Sequence, residues 1–351
     1  MRVAFIGSVG IPNCYGGFES FLESVAPVLV SKGADVYVTC DRSRYPNDFG
    51  CFKGVKRVMI DIRANGPLSP LHDLVAFMAV LRKVQFVVVL GVSAGPLFLI
   101  MRLVAFLIQK KLIVNVDGVE WRRGKYSYWQ KKLLFCFDFF AQISANNIVY
   151  DNAGLLPFIH KQFIEKSVLI GYPGDAVVGR LGVQMEQRSA LTICRVEPEN
   201  NLEMLIEGAL CSALKSYTII GNWHNSSYGR LLKEKYLQHP SLRLLDPIYD
   251  VNEIANYRAR TAIYLHGHSV GGTNPSLVEM LSYHCHIACF DCVFNRETAG
   301  GDAVYFTDHE DLGRKINVFI QDEAPALRVL QNRYRSSFIA DQYIELFQSY
   351  R

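Results

Sequence analysis

With 351 residues, half of them hydrophobic, and a formal net charge of +4, the chain is too long for one ordinary core and suits two domains. It contains no low-complexity or like-charge run, which excludes a disordered or fibrous protein. So mild a positive charge argues against a dedicated nucleic-acid binder, while permitting a local basic face toward phosphate or anionic lipid. Nine cysteines, an odd number, and an opening Met1-Arg-Val-Ala-Phe-Ile-Gly7 that reads directly as a strand point to a reducing cytoplasm and no signal peptide.

In chain order, the first half alternates short apolar strands with amphipathic helical spacing. Strands are expected at 2–6, 35–40, 55–60, 86–90, 111–116, 146–150 and 167–170, with helices at 18–32, 69–83, 95–109, 129–144 and 152–163. This is the order of a doubly wound parallel sheet. From Gly171 to Asp175 and from Gly179 to Gln187 the periodicity lapses into glycine, proline and polar residues, which marks a linker. The alternation then restarts, with strands at 190–195, 217–222, 242–246, 261–265, 286–291 and 303–306 and helices at 201–214, 226–238, 250–258, 276–284 and 309–320. A last stretch, 325–350, has helical spacing through Leu327, Leu330, Tyr334, Phe338, Tyr343 and Phe347 and no strand after it, so a terminal helical pair is expected to return to the first domain. The expected class is α/β: Rossmann-like domains over 1–172 and 173–324 facing across a cleft, and C-terminal helices over 325–351.

The apolar run Leu97 to Ile108 is too short for a bilayer span and carries Arg102 near its middle, so it reads as a buried or membrane-touching helix. Cys285, Cys289 and Cys292 have no second ligand pair at zinc spacing, and no metal site is expected.

Loops that follow strands carry the candidate chemistry. His266-Gly-His-Ser-Val-Gly-Gly-Thr-Asn-Pro-Ser-Leu-Val-Glu279 reads as strand end, glycine loop and helix start, with Thr273 or Asn274 as cap and Pro275 at the first helical position. Such a loop suits an anion, and the carboxylate of Glu279 one turn on suits sugar hydroxyls; a plain strand-loop-helix joint with a solvated glutamate is the alternative. Gly16 and Gly17 open another helix and could receive a sugar or diphosphate, or simply form a tight turn; the spacing is not a dinucleotide fingerprint. Arg195 ends a strand where a guanidinium could meet phosphate, with Glu197 or Glu199 as its alternative partner. Asn222 with Trp223, and Asp246 with Tyr249, follow the next two strands in the same way. In the first half, Asp117 and Glu120 could position an acceptor hydroxyl or could pair with Arg122 or Arg123. The stretch from Trp121 through Lys125 to Lys132 mixes rings and cations, as an interfacial patch does; nucleic acid is its rival partner.

Six ordered motifs resemble family 4 of the retaining glycosyltransferases, which have the GT-B architecture, and more narrowly a bacterial rhamnosyltransferase-like branch. They are Gly7-Ser-Val-Gly-Ile-Pro12 with Tyr15-Gly-Gly-Phe-Glu-Ser20, Asp117-Gly-Val-Glu-Trp-Arg122, Arg195-Val-Glu-Pro-Glu-Asn-Asn201, Gly221-Asn-Trp223, Asp246-Pro-Ile-Tyr-Asp250 and the His266–Glu279 loop. The resemblance implies a nucleotide-sugar donor held mainly by the second domain, and an acceptor held mainly by the first through Tyr15, Glu120, Trp121 and Arg122. By position, Glu279 would hold the ribose and Arg195 the phosphates; Thr273, Asn274 and Ser276 would meet the diphosphate. Gly16, Gly17, Asn200, Asn222, Trp223, Tyr249, His268, Gly271 and Gly272 complete the donor-binding set. Two departures stand out: Gly271 occupies the place of the family's first paired glutamate, and Asn200 that of its lysine.

The resemblance implies a rhamnose donor, dTDP-rhamnose, and a lipid-linked saccharide acceptor in O-antigen or capsule (lipopolysaccharide-type) assembly. The enzyme would be cytoplasmic and peripheral to the inner face of the membrane, with no cofactor beyond the donor. No Asp-x-Asp pair is present to demand a divalent metal, and retention would follow front-face attack, with Asp117 as a less favoured helper base. Two rivals remain: a nucleotide-sugar epimerase of the same architecture, and a non-catalytic membrane or nucleic-acid binding module.

Overall fold

A computed structural model describes residues 1–45, 50–124, 126–175, 183–323 and 330–350. The chain divides into two compact units, one formed by Met1–Arg122, Tyr126–Pro173 and Asn332–Arg351, the other by Arg123–Lys125 and Gly174–Gln331.

In the first unit the strands are β1 (Arg2–Ile6), β2 (Asp35–Asp41), β3 (Cys51–Phe52), β4 (Val55–Ile60), β5 (Phe86–Leu90), β6 (Lys111–Asn115), β7 (Asn147–Tyr150) and β8 (Ser167–Leu169). They form an eight-stranded sheet in the order β3-β4-β2-β1-β5-β6-β7-β8, parallel except for the small β3–β4 hairpin. Successive side chains of a strand point to opposite faces, and the two faces have separate cores. Val3, Phe5 and Val88 pack under α1 (Gly17–Ser31) and the C-terminal α11 (Ser336–Gln348). Ala4, Ile6, Val87 and Val89 pack under α2 (Ser69–Leu81), α3 (Leu97–Leu107) and α4 (Tyr128–Ser144). Tyr343 lies edge-on to Phe5, and Phe347 stacks on Phe86, so the terminal helix closes this core.

The second unit contains β9 (Glu186–Ile193), α5 (Leu202–Leu210), β10 (Ser216–Ile220), α6 (Ser227–Tyr236), β11 (Leu242–Leu245), α7 (Val251–Arg260), β12 (Thr261–His266), α8 (Pro275–Met280), β13 (His286–Phe290), α9 (Val293–Ala299), β14 (Val304–Phe306) and α10 (His309–Gln321). Its six strands are parallel, in the order β11-β10-β9-β12-β13-β14.

Several expectations are corrected. The segment expected as a helix at 152–163 forms two tight helical turns, Ala153–Phe158 and Lys161–Lys166, because Pro157 has no N–H to donate and Asn152 caps the first turn through Gly154. The helix expected at 276–284 ends at Met280, after which the chain turns to enter β13. Among the described residues the expected terminal pair shows one helix, α11, preceded by a single turn at Asn332–Tyr334; residues 324–329, Leu327 with them, lie outside the described residues, as do Lys125 and the linker residues 176–182. Sequence reading missed β3 and α9, of two and seven residues, which are too short for periodicity to reveal.

Candidate active site

The strand order sets the place of the site. From β9 the chain runs outward to β10 and β11 and then crosses back to β12 on the other side of β9. The loops after β9 and β12 therefore diverge at the reversal point, where ligands of doubly wound sheets sit. Those are the loops that begin at Cys194 and at Gly267.

They are tied together by side chains, of which Asn200, Asn222 and His268 were expected to meet the donor. Asn200 donates through Nδ2 to the Arg195 carbonyl at 2.7 Å, and its Oδ1 lies 2.9 Å from Nδ1 of His268. Asn201, held at φ +47°, donates to the Gly267 carbonyl at 2.8 Å, and both the N–H and the hydroxyl of Ser269 donate to the Glu199 carbonyl at 2.9 Å. The β10 loop joins through Asn222, whose Oδ1 accepts from the Val196 N–H at 2.6 Å. Asn200, Asn222 and His268 thus fix loop geometry, and Arg195 is left exposed above the framework.

Electrostatics at this framework favour an anion. Burial pushes His266 down to about 3 and His268 well below the ordinary imidazole value, the latter helped by His266, Arg123 and Arg195. Both imidazoles are therefore neutral at physiological pH, and the local positive charge belongs to the guanidinium groups. Glu199 pairs not with Arg195, the partner weighed from sequence, but with buried Arg123 at 3.8 Å. Nearby Cys194 is no nucleophile, since burial raises its thiol to about 12.

The glycine loop explains one departure from the family pattern. Gly271 has φ +138°, and a Cβ there would stand 2.9 Å from Nε2 of His268. No side chain fits, so the glutamate that the pattern expects has no room. Beyond it, Asn274 caps α8 by accepting from the Ser276 N–H at 3.0 Å. That amide is already engaged, and a helix of six residues has a weak dipole, so this terminus is a poorer anion cradle than its sequence suggested. Thr273 is buried, and Gly272, Asn274 and Ser276 are half-buried around the same turn.

Glu279 is not the solvated glutamate of the bland alternative. It is buried, and one carboxylate oxygen accepts from the guanidinium of Arg258, at the end of α7. Burial raises its pKa, and Arg258 opposes the rise. Sequence reading missed Arg258, although a carboxylate set within Leu277-Val-Glu-Met-Leu281 signals a buried group in need of a cation.

Two further assignments are corrected. Trp223 is 0% exposed, with its indole N–H donated to the Leu245 carbonyl at 2.9 Å, so it is a core pillar rather than a donor contact. Tyr249 is exposed but follows β11, which β10 separates from β9, so it lies away from the reversal point. Asn295 of α9, a helix not foreseen, supports the loop by donating to the His268 carbonyl at 2.8 Å. A separate pocket of about 280 Å³ opens beside α7 near the N-terminal ends of β9, β10 and β12, lined by Glu186, Arg243 and Arg260 among others; it is remote in topology from these loops.

In the first unit the chain reverses between β1 and β5. A Cβ on Gly7, at φ +89°, would meet the Leu90 carbonyl at 2.5 Å, so glycine permits the β1 loop to press against β5. Glu19, in the first turn of α1, is buried and accepts from the Val9 N–H at 2.7 Å, with Gly16 and Gly17 beside it. A carboxylate at this helix start disfavours the diphosphate once weighed there and suits hydroxyl groups. Tyr15 is exposed on the same loop. After β6, Asp117 takes φ +58° and its N–H donates to Asn115 Oδ1 at 3.0 Å, an uncommon backbone state for a non-glycine residue. Glu120 accepts from the Tyr126 hydroxyl at 3.4 Å. Trp121 packs edge-on to Phe135, and Arg122 lies over the Phe158 ring at 5.3 Å.

Residues 1–175 match the family described as "Domain of unknown function (DUF1972)". No curated protein matches the chain. Among solved structures, a sucrose-phosphate synthase from Thermosynechococcus elongatus is similar with TM-score 0.72 and 13% identity, covering 99% of this chain and 98% of that one. The lipopolysaccharide outer core galactosyltransferase WaaB, in its apo form, gives TM-score 0.62 and 14% identity over 99% and 100%. A UDP-GlcNAc 2-epimerase from Methanocaldococcus jannaschii gives 0.58 and 13% over 99% and 100%. With two doubly wound parallel sheets and likeness over nearly its whole length, the chain has the two-domain, Rossmann-like GT-B fold.

Proposed function

We propose that this protein is a glycosyltransferase that takes a sugar from a nucleotide-sugar donor and adds it to a saccharide acceptor. Within that class the reading is rhamnose from dTDP-rhamnose, transferred with retention and without metal to a lipid-linked saccharide during assembly of a bacterial surface polysaccharide. The observation that carries the proposal is the exposed Arg195 beside the Gly267–Gly272 loop, at the strand-order reversal of the second unit. The synthase and the galactosyltransferase among the similar folds support the class.

In this reading Arg195 and loop N–H groups meet the leaving diphosphate, which is charge development answered by fixed donors. The acceptor hydroxyl oxygen forms the new bond to the anomeric carbon as the bond to the diphosphate breaks, and the hydroxyl proton passes to a donor phosphate oxygen. Glu279, with one oxygen held by Arg258, would offer the ribose a single remaining oxygen rather than two. Tyr15, Asp117, Glu120, Trp121 and Arg122 of the first unit's loops are assigned to the acceptor.

The test is incubation of the full chain with a panel of nucleotide sugars and a lipid-linked saccharide. A glycosylated product, fastest with dTDP-rhamnose, is expected. Altered sugar without acceptor would make the protein an epimerase, and no turnover with any donor would leave a binding module.

A further inference from the structure

The helices on one face of the first unit are built the wrong way round for water. α3 packs between α2 and α4. Its inward positions Phe98, Met101 and Ala105 enter the core, yet the outward ones are equally apolar: Leu99, Ile100, Leu103, Phe106 at 67% exposure and Leu107 at 68%. A helix apolar all round is normally enclosed on every side. α2 adds exposed Leu71, Val75 and Met78, at i, i+4 and i+7 of one stripe. α4 is inverted outright: Asp138, Gln142 and Ser144 are buried, whereas Trp129 is 77% exposed and Leu133 and Phe135 also face outward.

Charge tells what covers this face. Across 62–116 and 126–146 the only acidic residues are Asp73 and Asp138, and both are buried. Arg82, Lys83, Arg102, Lys110, Lys131 and Lys132 are exposed or half-exposed around the apolar stripes. An exposed apolar surface rimmed by one sign of charge, with rings at its margin, complements an anionic lipid surface rather than a mixed-charge protein partner. No helix among the described residues is long and apolar enough to cross a membrane. The eleven residues of α3 extend about 16 Å, roughly half the apolar thickness of a bilayer.

We propose that α2, α3 and α4 form a docking face for an anionic phospholipid bilayer, with Leu103, Phe106 and Leu107 of α3 seated among the acyl chains and the cations on the headgroups. This deepens the lipid-linked acceptor of the proposed function, and its purpose rests on that reading. It joins the 121–132 patch and the apolar 97–108 run into one three-helix surface.

The experiment is co-sedimentation of the full chain with phosphatidylcholine vesicles and with vesicles containing roughly 30 mol % phosphatidylglycerol. Binding is expected to the anionic vesicles, weakened by salt. The double substitution Phe106→Ser and Leu107→Ser should lower it at least about tenfold, and Lys131→Glu with Lys132→Glu should remove much of the salt-sensitive part. Unchanged thermal midpoints and unchanged transfer to a water-soluble saccharide would show that the variants fold and that the chemistry lies elsewhere. Vesicle binding that the serine pair does not alter would overturn the proposal. So would absence of vesicle binding, or a dimer in solution that the serine pair dissociates. A protein that transfers sugar to a soluble acceptor but ignores vesicles loses only this face; one that binds vesicles but turns over no donor loses only the transferase reading.

Discussion

Glu279 of α8 and Arg258 of α7 form a buried ion pair, and it links the helix after the glycine loop to the helix before β12. Removing one partner leaves the other charge buried and uncompensated. Glu279→Ala should therefore destabilise the protein by about 3–5 kcal/mol, while the joint replacement Glu279→Leu with Arg258→Met should restore most of that loss. Denaturant midpoints measure both, and a loss below about 1 kcal/mol for the alanine variant would show that the pair is not structural. Glu279→Gln keeps shape and one acceptor, so it should fold and weaken dTDP binding about three- to tenfold by titration calorimetry; unchanged affinity would remove Glu279 from the donor site.

Gly271 offers a test of the loop. With φ +138° and His268 Nε2 at 2.9 Å from a Cβ, Gly271→Ala should cost about 1–3 kcal/mol and weaken nucleotide binding. Adding His268→Ala should relieve the collision but not the backbone strain, recovering only part of the loss. Full recovery would mean that crowding alone excludes a side chain there.

Arg195 is the exposed cation of the β9 loop. Arg195→Ala should lower donor affinity about 10- to 150-fold, as expected for charged hydrogen bonds, and Arg195→Lys should recover part of it. Chelation with EDTA should leave transfer intact. Activity lost to EDTA and restored by Mg²⁺ or Mn²⁺ would assign the diphosphate charge to a metal.

Asp138 should give stability a pH dependence of unusual sign for a carboxylate. Burial raises it from 3.8 to about 7, against a Gln142 hydrogen bond that lowers it. Between those values the folded state holds more protons than the unfolded one, so this group's contribution to stability falls as pH rises from about 4 to about 7 and then levels. Asp138→Asn keeps the Gln142 bond and should stabilise the protein by a few kcal/mol at pH 8, with little effect near pH 4. Urea midpoints at both pH values check this; equal effects at the two would refute the raised carboxyl.

The sequence alone determined the class and most of the elements, because burial on one face or two imposes a period that side-chain chemistry must repeat. Val3, Phe5, Ala4 and Ile6 announce a strand enclosed on both sides, and Arg195 and the His266–Gly272 loop could be placed at strand ends from order alone. Short elements such as α9 escaped, since seven residues hold barely two turns of pattern.

Only the tertiary structure decided which polar residues face a ligand and which hold the fold. Trp223 and Tyr249 read alike as post-strand residues, yet one is sealed against Leu245 and the other stands at an edge strand, because strand order rather than chain order sets distance from the reversal point. Glu279 and Arg258 are separated by 21 positions and share no local motif. Their pairing exists because α7 and α8 flank the same strand, and the low polarity of the space between them makes each charge require the other.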